Sequence, residues 1–159
     1  MAITYEPIST TTLGSAASSV TFSSIPGTYT DLVLILVGQN TPSEDNFRLT
    51  MNNDTGSNYS YTYLSGNGTS ASSGRGSNAT PMYIGNLPSS QWATNIAHIM
   101  NYANTTTYKT VLSRQSGTSA EAWVNLWRST AAITTIKVDT GAGNYVSGST
   151  FSLYGIKSA

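Results

Sequence analysis

The chain has 159 residues, no cysteine and only 9% charged residues, seven basic side chains balancing seven acidic ones. A domain of this size buries on the order of 70% of its unfolded surface and needs no covalent staple, and the lack of cysteine excludes disulfides and thiolate metal sites. The neutral balance gives no broad electrostatic footing for nucleic acid or an anionic membrane, so neither is expected as a partner.

Hydroxyl and amide stand where charge would be: 24 Ser, 24 Thr and 13 Asn. Ten Tyr and three Trp recur with β-branched residues in ordered patterns, which argues against disorder and for sheets with Thr on their exposed faces. Few charges guard the edges of such sheets, so defined oligomerisation is expected to cover them. The opening MAITYEPIST has neither a basic start nor an apolar core, so no secretory signal is expected. The longest apolar run, LVLILVG at 32–38, is far too short to span a bilayer. The expectation is a soluble protein made in a cytoplasm.

In chain order, residues 1–12 with their ISTTT read as an extended N-terminal arm, able to add to a neighbour's sheet edge, ahead of one β-sandwich domain over 13–159. Val20 and Phe22 alternate with Thr21 and Ser23, as a half-buried strand requires. DLVLILVG is apolar on both faces, which predicts a central strand covered on both sides. In NFRLTMNN, Phe47, Leu49 and Met51 point one way and Arg48, Thr50 and Asn52 the other. NNDTGSN is a turn, and YSYTYL puts Tyr59, Tyr61 and Tyr63 on one face.

Residues 65–81, SGNGTSASSGRGSNATP, read as a flexible low-complexity loop. MYIGNLP is a short strand. QWATNIAHIMNYANT carries both helical and strand spacing, and its Thr and Asn favour a strand for the second half. YKTVLSR and AEAWVNLWR are strands, with Trp123, Asn125 and Trp127 sharing a face. AAITTIKVD alternates, and TGAGN turns the chain into a last strand where Phe151 and Leu153 form the inward face, leaving Lys157, Ser158 and Ala159 free. About nine short strands separated by turns predict an all-β fold, a single antiparallel sandwich.

Chemistry is sparse. His98 is the sole histidine. A Ser-His-Asp set with Asp31, Asp54 or Asp139 lacks a GxSxG elbow, and His98 lies in an apolar stretch that suits a core or interface position. Glu44, Asp45, Asp54 and Glu121 stand beside turns or strand edges, as solvated carboxylates do, rather than as a glycosidase pair. EDN at 44–46 and NND at 52–54 offer hard oxygen ligands without the tight spacing of a Ca²⁺ loop. The Gly-rich stretch lacks the Lys-Ser/Thr of a phosphate loop. No enzyme activity, metal or cofactor is expected. Tyr59, Tyr61, Tyr63 and Trp92 are the candidate site residues, either as a core or subunit seam or as a platform that stacks on a glycan.

YTDLVLILVG, NNDTGSNYS, NYANTTTYKT, STAAITTIKVD and GNYVSGSTFSLYGI occur in that order. Together they resemble small β-sandwich modules in the virions of tailed bacteriophages, cyanophages included, which commonly close on a Gly-Ser-x-Phe-x-Leu-Tyr-Gly-Ile strand. The match for that strand is 148–156, and the resemblance spans roughly 8–156. It implies a jelly-roll-like fold, a homotrimer on the virion exterior and no catalytic residues. Two roles stay open. One is capsid decoration, a cement protein whose partner is the major capsid protein. The other is a tail-fibre or tail-tip module whose partners are tail proteins and a host-surface glycan. The early first strand and the lack of shaft repeats favour decoration.

Overall fold

The structure, a computed structural model, describes residues 5–157. Within them the chain forms fourteen strands and no helix. Numbered in chain order, eight build one antiparallel sheet in the order β1 (Tyr5–Thr12), β14 (Thr150–Ile156), β3 (Asp31–Gly38), β9 (Ala93–Met100), β10 (Lys109–Ser116), β11 (Ala120–Trp127), β6 (Tyr59–Gly66), β7 (Ala71–Ala79). Four more form a second sheet, β2 (Ser19–Phe22), β12 (Ile136–Asp139), β5 (Asp45–Met51), β8 (Met82–Leu87). β4 (Asn40–Thr41) and β13 (Asn144–Tyr145) make a small ladder beside them. The protein is an all-β antiparallel sandwich.

Side-chain alternation places the core between the sheets. Leu32, Leu34 and Leu36 of β3, Phe151 and Leu153 of β14, and Ile99 of β9 meet Phe47, Leu49 and Met51 of β5 and Ile136 and Val138 of β12, all of them buried. Tyr145 joins the layers, its ring 4.8 Å from that of Phe151 and 6.0 Å from that of Phe47. β8 packs across β9, β10, β11 and β6.

Several expectations need correction. The loop expected over 65–81 is a hairpin: β6 runs to Gly66, and β7 pairs with it from Ala71 to Ala79. The turn is an Asn-Gly pair in which Asn67 Oδ1 accepts the backbone N–H groups of Thr69 and Ser70 at 3.0 and 2.9 Å. Glycines serve the strand because tyrosines lie on them. A Cβ at Gly74 would stand 2.7 Å from the Tyr63 ring, and one at Gly76 would stand 2.5 Å from the Tyr61 ring. The two rings cover a backbone that has no side chains of its own there, and this compensates the weak strand preference of glycine.

The arm is sheet from Tyr5 onward. β1 pairs antiparallel with β14 along the chain's own sheet edge, so its Thr-rich stretch is already engaged. Residues 1–4 of that arm, with Ser158 and Ala159, lie outside the described residues. Lys157 is not free: its Nζ donates to Glu6 Oε1 at 2.7 Å and lies 5.8 Å from the Tyr29 ring centre. β3 is central, between β14 and β9, but its second face is only partly covered. Val33 is buried there, while Ile35 and Val37 are half-buried.

Replacing Leu153 with Ala should leave a cavity between the sheets and cost about 2–5 kcal/mol, read as a lower denaturant midpoint at unchanged slope. Gly76→Val should force the Tyr61 ring off β7. Amide exchange is then expected to quicken across Ala71–Ala79 while β3 and β9 keep their protection.

Candidate functional site

The strongest concentration of functional side chains lies where the inner face of β6 and β11 meets β8 and β5. Register fixes it. Tyr63 sits opposite Trp123, Tyr61 opposite Asn125, and Tyr59 opposite Trp127, so the tyrosines of one strand interleave with the tryptophans of the next. Tyr63 stacks on Trp123 at 4.4 Å with 24° between planes. Tyr61 meets Trp123 at 5.5 Å and Tyr83 of β8 edge-on at 5.2 Å. With Asn46, Ser65, Ser72, Asn86 and Glu121 these rings line a cleft of about 340 Å³.

Glu121 is the carboxylate of that cleft, and its oxygens are occupied. Oε1 accepts the hydroxyls of Ser119 at 2.8 Å and Ser65 at 3.3 Å. Oε2 accepts Trp123 Nε1 at 2.8 Å and the Asn86 backbone N–H at 3.0 Å. Four donors on one carboxylate make a brace that fixes Trp123 and ties β11 to β8. The ring faces are likewise spent on one another and on the backbone of Gly74 and Gly76. The cleft therefore offers a ligand ring edges, hydroxyls and amides more than a free aromatic face.

The four candidate residues are not brought together. Tyr61 and Tyr63 share the cleft, half-buried. Tyr59 is fully buried, its ring 6.4 Å from that of Trp127 and nearly parallel to it. Its hydroxyl accepts the Met51 N–H at 3.1 Å and donates to the Asp54 carbonyl at 2.9 Å. Trp92 is 46% exposed and leans on Gly148 beside the start of β14, with β3, β9, β10 and β11 between β14 and β6. Trp123, Tyr83 and Glu121 belong to the cleft without having been singled out for it. The shared face of Trp123 and Trp127 was visible in the spacing, but its pairing with the tyrosines depends on register.

The other carboxylates brace loops and strands. Asp54 accepts Trp127 Nε1 at 2.7 Å, the Gly56 N–H at 2.9 Å and the Asn58 amide at 2.9 Å. Burial pushes its pKa upward, and the hydrogen bonds from Trp127, Asn58 and Gly56 outweigh that to hold it below the usual value. Asp45 Oδ2 accepts the Ala142 N–H at 2.5 Å, Asp31 accepts the Asn101 N–H at 2.7 Å, and Asp139 pairs with Arg48 at 2.6 Å and Lys137 at 3.1 Å. Among the described residues no three of His, Cys, Asp and Glu gather closely enough to hold a metal ion. His98 stands half-buried on the outer face of β9, between Val33 and Leu112 in register.

No protein-family model, no curated protein and no solved structure matches this chain.

The Tyr59 hydroxyl carries a pH dependence. Burial pushes its pKa from 10.0 up to about 12. A pKa raised in the folded state contributes stability that is complete below pH 10 and is lost as pH rises through 12. Thermal melts of Tyr59→Phe should show a loss of about 1–3 kcal/mol at pH 8, since the Met51 N–H is left without its acceptor. Between pH 10 and 12 the variant should fall less steeply than the parent.

Proposed function

We propose that this protein is a structural component of the exterior of a tailed-phage virion, a homotrimeric decoration protein that reinforces the shell by binding the major capsid protein. The resemblance of 148–156 to the closing strand of such modules supports the family, and that segment supplies β14, paired on both sides by β1 and β3.

The observation that carries an assembly role is the distribution of the side chains. The carboxylates with chemical potential, Asp31, Asp45, Asp54, Glu121 and Asp139, are held by protein donors. Exposed large apolar residues, Leu64, Leu112 and Val124, stand instead on the outer face of the large sheet. Such a molecule is equipped to be covered rather than to turn over a substrate. A surface with 9% charge in the chain binds through shape, hydrogen bonds and apolar contact, with little salt dependence.

The second reading, a tail module that binds a host-surface glycan, draws on the cleft at Tyr61, Tyr63, Tyr83 and Trp123. Its rings are largely paired with one another, which places it behind the decoration reading.

A protein that binds only the assembled shell stabilises it by mass action. Particles stripped of this protein should release DNA at a lower temperature than intact ones, and adding the purified protein back should restore the parent value. Stripped particles that open at the unchanged temperature but no longer adsorb to cells would give the role to the tail.

A further inference from the structure

Asn67 and Gly68 are the one Asn-Gly pair in the chain, and they sit at the exposed tip of the β6–β7 hairpin. Asn67 Oδ1 accepts four hydrogen bonds, from the Thr69 and Ser70 N–H groups at 3.0 and 2.9 Å and from their hydroxyls at 3.2 and 3.3 Å. These bonds fold the side chain back along the turn, so that Cγ faces the backbone that follows it. Four donors on one carbonyl oxygen also draw charge from Cγ, and they are placed to hold the negative charge that develops on Oδ1 when a nucleophile adds there. The amide nitrogen, Nδ2, has no partner among the described residues.

Gly68 supplies the nucleophile. Its N–H has no acceptor among the described residues, its φ is +87°, and a Cβ there would meet nothing within 4 Å. Without a side chain, the Gly68 nitrogen can swing toward Cγ at little steric cost. The loop before β10 holds the same cradle without the glycine. Asn104 Oδ1 accepts the Thr106 and Thr107 N–H groups at 2.7 and 2.9 Å and their hydroxyls at 2.9 and 3.2 Å, and the residue after it is Thr105. Both asparagines are exposed. The chain thus carries its own control: one cradle with an unhindered neighbour and one with a stiff, β-branched neighbour.

We propose that Asn67 is a site of spontaneous covalent modification, an amide that the hairpin turn converts to a carboxylate. The Gly68 nitrogen gives up its proton to solvent and bonds to Cγ. The Cγ–Nδ2 bond breaks, and Nδ2 takes up a proton and leaves as ammonia. The product is a five-membered succinimide, which water opens. Attack at Cγ restores the ordinary backbone with an aspartate at 67. Attack at the main-chain carbonyl leaves an isoaspartate, in which the chain runs through the former side chain. Water is the only co-reactant. Either product adds one negative charge to a chain whose seven basic and seven acidic residues cancel. The aspartate keeps every acceptor the turn uses, now charge-assisted, whereas the isoaspartate lengthens the backbone between β6 and β7 by a methylene. Ser65 and Ser72 pair across the hairpin next to this turn and line the aromatic cleft, so the modification alters charge and hairpin geometry beside it. The proposal goes beyond the virion reading and does not depend on it.

The test holds the purified chain at pH 8 and 37 °C and follows its fragments by tandem mass spectrometry. Asn67 should convert, with isoaspartate among the products as the signature of the ring, and the intact chain should gain one negative charge on isoelectric focusing. Asn104 should stay an amide over the same period. An unconverted Asn67, equal conversion at Asn67 and Asn104, or aspartate without isoaspartate overturns the proposal. Two exposed-turn variants, each checked for the parent's sheet spectrum, test the cradle itself. Thr105→Gly should bring Asn104 to conversion. Thr69→Val removes one hydroxyl donor and should slow Asn67 roughly two- to tenfold. An Asn104 that stays intact beside the new glycine, or an unchanged rate in Thr69→Val, overturns the role given to the turn.

Discussion

Four strands cannot cover eight. The large sheet has eight strands and the small one four, and much of the architecture answers that mismatch. Where the sheets overlap, alternation alone suffices, and the buried residues of β3, β14, β5 and β12 form an ordinary apolar layer. Towards β6 and β7 the cover thins, and the protein fills the space with large rings. Trp123, Tyr61, Tyr63 and Tyr83 pack on one another and Glu121 anchors the assembly. The aromatic cleft is in this sense a margin of the core.

The same constraint bears on the opposite surface. An eight-stranded sheet has an outer face as wide as its inner one, and here that face is shielded only in part: Val33 is buried while Leu64, Leu112 and Val124 are exposed. The sequence places Val33, Ile35, Ile96, Leu112 and Val124 there, and on the inside of β10 and β11 it sets Ser113, Gln115 and Asn125 among Val111, Trp123 and Trp127. Buried amides without partners cost free energy.

How much of this could be read from residues alone depended on whether the determining contact was local. Period two gave Phe47, Leu49 and Met51, and Phe151 and Leu153, and each is fully buried as expected. It also gave the shared face of Trp123, Asn125 and Trp127. It failed for β7, where ASSGRGSNA has no alternation of its own and owes its conformation to tyrosines on the neighbouring strand. It failed for β1, because a Thr-rich strand pairs as well with its own sheet edge as with a neighbour's, and only the closed fold decides. The cleft stayed hidden because register, not spacing, brings Tyr63 to Trp123.

The glycine strand has a consequence for how such chains drift. Composition alone marks 71–79 as unconstrained filler, the kind of sequence that tolerates insertion and exchange. Packing gives a different answer at two positions. Gly74 and Gly76 can gain a side chain only if Tyr63 or Tyr61 gives up its place, since each ring already occupies the volume a Cβ would need. Variation at these sites is therefore expected to be paired across the hairpin, with growth on β7 matched by shrinkage on β6. Among related chains, that covariation would trace the hairpin through a stretch in which residue-by-residue similarity carries almost no signal.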